Sequence, residues 1–160
     1  MTSSTSTVNN SKQNLNQQSW EIKLLYDGEC PLCLREVNFL QKKDAGRGKV
    51  AFVDIASDDY NPEENAGIDF ETAMGRIHGI LPDGTVIKNV EVFRRVYEAL
   101  GMGWVYAITK LPVLGALANF IYGIWADLRL KLTGRPDLQT VIKQRQERIG
   151  CNDESRCQSY

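Results

Sequence analysis

The sequence predicts an α/β fold in which a β-α-β unit is followed by a β-β-α unit and then by further helices. Three observations carry this. Short apolar runs near 22–26 and 50–55 flank a stretch with helical spacing, a Pro82-Asp83-Gly84 turn separates two more apolar runs, and the second half of the chain is helical in pattern throughout. With 160 residues, 42% of them hydrophobic and 24% charged, the chain has the size and composition of one ordinary globular domain.

The elements follow in order. Order is expected to begin near Trp20, and Ile22, Leu24, Leu25 and Tyr26 form a buried strand that stops at Asp27-Gly28. Leu34, Val37, Leu40 and Gln41 then recur at helical spacing over 31–43, with Phe39 widening the face and Gly46 closing it. Val50, Phe52, Val53 and Ile55 are too short a run for a helix and make the second strand. Between Asp54 and Glu71 lie seven acidic residues and no Lys or Arg, read as a solvated loop leading to a short helix near Phe70. Calcium is set aside there, because the spacing lacks the glycine-centred twelve-residue loop.

Residues 77–81 and 85–90 form a hairpin about the Pro-Asp-Gly turn, and His78 is expected half-exposed on its first strand. Val92, Phe93, Val96, Tyr97 and Leu100 make one helical face. The extension over 104–132 is the most apolar part of the chain, but its uncharged run, 111–126, falls short of the roughly 20 residues that cross a bilayer. A buried or groove-forming helix is expected rather than a transmembrane segment. A polar helix over 137–149 ends at Gly150. This order is the thioredoxin-like plan, so the expected organisation is a leader over 1–19, one domain over 20–149 with its helical extension from about 104, and a flexible tail over 150–160.

The ends and the charge narrow the function. Of residues 1–19, 15 are Ser, Thr, Asn or Gln, a composition that does not order itself. This segment has neither arginine nor an amphipathic pattern, against a transit peptide, and no charged segment before an apolar one, against secretion. A cytoplasmic setting is expected, with an organelle lumen such as a plastid stroma left open. Nineteen basic against twenty acidic residues give no global field for nucleic acid.

Four cysteines are too few for a disulfide-stapled scaffold, and two of them stand in Tyr26-Asp27-Gly28-Glu29-Cys30-Pro31-Leu32-Cys33, where a strand hands over to a helix. Free backbone N–H groups at a helix start stabilise an anion, and a thiolate is the reactive form of cysteine. Cys30 is therefore the expected nucleophile, and Cys33, three residues on and somewhat buried, the resolving thiol. Pro31 suits the first helical turn. Asp27 has two readings: a proton acceptor for the thiol chemistry, or a turn residue that satisfies local N–H groups. No cofactor is required. A metal site would join the pair to Cys151, Cys157 or His78, an unusual arrangement given their separation. Cys151 and Cys157 could close a small loop or remain silent.

The segment Asp27 to Cys33 fits the D-x-x-C-x-x-C signature of the DCC family, thioredoxin-like predicted thiol-disulfide oxidoreductases. The sequence resembles that family over about 24–134, including the hairpin, the helix from Glu91, Leu111-Pro112, and Tyr122, Ala126 and Arg129. The resemblance implies Cys30 and Cys33 as the redox pair with Asp27 as third signature residue. Unlike thioredoxins and glutaredoxins proper, the chain has no proline in Thr72-Ala73-Met74-Gly75-Arg76, just before the third strand. The expected partner is a disulfide-containing protein or small thiol, with a homodimer through the apolar extension as a further option. The alternative function is a non-catalytic binding or redox-sensing module, with or without a metal at the cysteines.

Overall fold

Strand β1 (Ile22–Tyr26) carries apolar side chains on both faces, and in the computed structural model, which describes residues 19–157, it occupies the interior of a four-stranded sheet. Strand β2 (Val50–Asp54) runs parallel to it, with Ile22 opposite Val50 and Tyr26 opposite Asp54. On the other side β3 (His78–Ile80) is antiparallel to β1, and β4 (Val86–Lys88) closes the sheet in the order β2-β1-β3-β4. The parallel pair requires a crossover, supplied by helix α1 (Pro31–Asp44). The thioredoxin-like β-α-β and β-β-α order is present as expected.

Alternation along β1 splits the core into two layers. Ile22 and Leu24 pack with Val37 and Leu40 of α1 and with Val92 and Val96 of α3 (Val90–Ala99). Leu25 faces the opposite layer, with Ile55, Met74 of α2 (Phe70–Gly75) and Val141 of α5 (Leu138–Cys157). The acidic connection contains a 3-10 turn, Pro62–Asn65, capped by the Asn61 side chain on the Glu63 N–H.

Four expectations need correction. His78 is 2% exposed, because β3 lies inside the sheet with both faces covered, and its Nδ1 pairs with the Arg76 carbonyl at 2.8 Å. The extension begins as a 3-10 segment, Gly103–Lys110, before α4 (Pro112–Leu132). Of the two readings of α4, buried or groove-forming, only the second holds: Tyr122, Trp125 and Arg129 line a cleft, but Tyr122, Ala126, Arg129 and Leu130 alone are buried, while Val113, Phe120 and Ile121 are 79%, 67% and 57% exposed. By length and composition alone α4 could cross a bilayer, with a mean hydropathy of 1.2. Lastly, α5 continues through Gly150 to Cys157 instead of stopping at Gly150, a residue with nothing near its Cβ position and ordinary helical backbone. The polar leader, apart from Ser19, and the side chains of Cys151 and Cys157 fall outside the described residues.

Candidate active site

The cysteines sit where β1 delivers the chain to α1. Cys30 is the N-cap of α1 in extended conformation (φ −91°, ψ 116°), with Pro31 in the first turn and no side-chain cap bond. The Cys30 sulfur therefore stands beside the free N–H groups of Leu32 and Cys33 in the first turn and beside the Cys33 thiol, all of which favour its anion. The turn before it is pinned by Asp54 at the end of β2, whose Oδ1 accepts from Gly28 N at 2.8 Å and Ala56 N at 2.8 Å.

These donors lower the Cys30 thiol to about 6, led by the Cys33 hydrogen bond and opposed by burial and by the Asp27 charge. Cys33 moves the other way. Its bond to Cys30, burial and the negative Cys30 sulfur all push it up, and the Arg129 guanidinium only partly offsets them. Of the two sulfurs, Cys30 is thus the one favoured as a thiolate and Cys33 the one favoured as a thiol.

Exposure runs against the simplest division of roles. Cys30, the expected nucleophile, is 1% exposed, whereas Cys33, the expected resolving thiol, is half-buried. Cys33, and not Cys30, borders a cavity of about 250 Å³ between α1, α3 and α4.

Asp27 is 2% exposed and is brought beside the cysteines. Its Oδ1 accepts from the Glu29 N–H at 3.0 Å, as the turn reading expects, and its Oδ2 pairs with Arg135, a residue just before α5. Arg135 also holds Glu29 at 2.7 Å, and Arg148 reaches Glu29 at 3.3 Å. Arg129 of α4, itself 5% exposed, donates to the Cys33 sulfur at 3.9 Å and to the Met74 carbonyl.

Sequence reasoning missed the counter-charges. Arg129 stood out only as a family-like position, and Arg135 carried no local signal, since the contacts lie 96 and 108 residues from Cys33 and Asp27. His78 is remote in role: its ring is held by the Arg76 carbonyl two residues before it, and burial lowers its pKa. Among the described residues no group of three His, Cys, Asp or Glu side chains is placed to hold a metal ion.

The geometry is that of a close cysteine pair at a strand-to-helix junction, with the Cys30 thiol pushed down and the Cys33 thiol pushed up. A model of the DCC1-like thiol-disulfide oxidoreductase family matches residues 24–135, which contain β2, β3, β4 and the second half of β1, Cys30 and Cys33, and all of α4. An uncharacterized chloroplastic protein of Arabidopsis thaliana is 52% identical over 130 residues, 81% of this chain and 61% of that protein, so the chain spans about 61% of that relative's length. No solved structure matches. The match over the fold and the cysteine motif together places the chain in the DCC1-like thiol-disulfide oxidoreductase family.

Proposed function

We propose that the chain is a thiol-disulfide oxidoreductase in which Cys30 and Cys33 open and close a disulfide as a client exchanges two electrons with them. The observation that carries this is the position of Cys30 at the N-cap of α1 with Cys33 one turn on, a setting that lowers the Cys30 thiol to about 6. As the sulfur more easily held as a thiolate, Cys30 is the better leaving group when the closed disulfide opens. Cys33 completes the pair. Asp27, held by Arg135, positions the segment before the cysteines and opposes their negative charge. No cofactor is needed for this exchange.

The metal-holding form of the alternative lacks a third ligand among the described residues, and a purely sensing module is told apart by failing to turn over a disulfide substrate. For compartment we carry forward the organelle alternative, a plastid stroma, because the Arabidopsis relative is chloroplastic. The test is the pH dependence of Cys30 alkylation on metal-free protein, with Cys30→Ser and Cys33→Ser beside it. A midpoint near 6 and an internal disulfide that closes when the protein is treated with a small disulfide are expected. Alkylation with the profile of an ordinary thiol, or no internal disulfide, rejects the activity.

A further inference from the structure

The cavity beside the cysteines has a definite chemistry. Its apolar wall is built from Leu32, Phe93, Tyr97, Tyr106, Tyr122 and Trp125, with Cys33 at its edge. Its polar groups are mostly engaged already: Glu36 accepts from the Tyr97 hydroxyl at 2.8 Å, and Arg129 is tied to Met74. One main-chain donor is engaged as well, since the Ile77 N–H just before β3 donates to the Tyr122 hydroxyl at 3.0 Å. An extended peptide therefore lacks that backbone donor for pairing beside the cysteines. A volume near 250 Å³ holds one ring with a substituent, given that a cavity of about 150 Å³ holds benzene.

We propose that the client enters this cleft and forms its mixed disulfide with Cys33, and that it is a low-molecular-weight thiol whose sulfur is carried on an aromatic body. This rests on the reading of Cys30 and Cys33 as the redox pair. A client thiolate attacks the Cys33 sulfur of the closed disulfide. The client–Cys33 bond forms, the Cys30–Cys33 bond breaks, and the electron pair leaves on Cys30. A second client thiolate attacks the bound client sulfur, forming the client disulfide and expelling Cys33 as a thiolate beside Arg129, where it takes a proton. A low-molecular-weight disulfide recharges the pair by the same steps reversed, so the sum is thiol-disulfide exchange.

The experiment treats reduced full-length Cys30→Ser and Cys33→Ser with 4,4′-dithiodipyridine, an aromatic disulfide, and with hydroxyethyl disulfide, mapping adducts by peptide mass spectrometry. Cys33 in the first variant should be modified at least about tenfold faster than Cys30 in the second, and should prefer the aromatic reagent at least about tenfold beyond the preference of free cysteine. Trp125→Ala should bring that preference down to the free-cysteine value. Leu32→Ser, at a position 41% exposed, should lower it with no penalty to folding. Faster adduct formation at Cys30, or no aromatic preference, overturns the proposal. Failure of the wild type to close an internal disulfide is a separate result and rejects the activity itself.

The outer face of α4 carries a second inference independently. Val113, Leu117, Phe120, Ile121, Ile124 and Leu128 are all exposed, and Leu111, Leu114 and Leu132 extend the patch. Those six present roughly 700 Å² of apolar surface, close to one partner's share of a standard interface. Their intervals are 4, 3, 1, 3 and 4, the same in both directions, so an antiparallel copy meets an identical pattern. Self-complementarity of this kind is what a two-fold interface demands. A membrane surface fits less well, because a helix lying on lipid has a basic polar face, and α4 offers Asp127 with Lys131 and a net charge of −1 for the whole chain.

We infer that the occupant of this face is a second copy of the chain with α4 antiparallel, placing Val113 opposite Leu128 of the other copy. Sedimentation equilibrium on the full chain should give a dimer. Val113→Glu and Leu128→Lys should each give monomers, and the double variant should dimerise again. A monomeric wild type, or a dimer indifferent to these changes, overturns this, as does binding to phosphatidylcholine vesicles that Phe120→Glu abolishes.

Discussion

Gly28 shows how tightly one residue is specified. A Cβ built there would lie 1.9 Å from Asp54 Oδ2, so any side chain displaces the carboxylate that holds the Gly28 and Ala56 N–H groups. Gly28→Ala should cost about 1–3 kcal/mol in chemical denaturation, the usual penalty of overpacking, and should slow closure of the internal disulfide. The thiols add a pH dependence whose sign is fixed. The folded Cys30 thiol lies below an unfolded cysteine at about 8.5, so its stabilisation is complete above that value and is lost as the pH falls toward about 6. Cys33 is raised and works in the opposite sense, subtracting stability once unfolded cysteine ionises. Denaturation midpoints of the reduced protein minus those of the oxidised protein should therefore decline on going from pH 8.5 to 6. A flat difference would reject the thiolate at Cys30. Asp27→Asn should move the thiolate absorbance midpoint downward, because the Asp27 charge raises Cys30. An unchanged midpoint would rule out that electrostatic role.

Among the elements, α5 and the turn before it are tied to the rest by arginine. Arg145, 8% exposed, donates to the Ala56 and Ser57 carbonyls at 3.0 and 2.8 Å and stacks over Phe70 at 4.4 Å. Arg135 pairs with the buried Asp27. Breaking one side of such a pair leaves a buried charge, so Arg135→Gln should cost about 3 kcal/mol or more. Together with Asp27→Asn the loss should be less than additive by about 1–3 kcal/mol, measured by a double-mutant cycle. Additive losses would show that the two side chains do not interact. The β-α-β elements were legible in the sequence because Leu24, Leu25, Val50 and Val53 sit in short apolar runs bounded by glycines and Pro31 opens a periodic helix. The environment of α4 was not. Its apolar residues cover most of its circumference, and composition does not say which face the protein uses.

For the whole molecule, the two core layers meet only at the sheet, and β1 contributes Leu24 to one and Leu25 to the other. Amide exchange should be slowest at Leu24 and Leu25, paired on both sides, and faster at Val86 and Lys88 on the edge strand. Equal protection of β4 and β1 would contradict that order. Cys30, Cys33 and Asp27 could be named from the sequence because they are neighbours in it. Arg135 and the aromatic cleft could not, and Arg129 only as a family-like position without a role, since side chains from three separate helices and a loop meet there only after the chain folds. The Asp54 contact under Gly28 and the Arg135 contact on Asp27 have a bearing on portability. A graft of the eight residues from Tyr26 to Cys33 onto another scaffold carries both sulfurs but neither the carboxylate beneath the turn nor the guanidinium beside it. Such a chimera inherits the spelling of the motif without its chemistry.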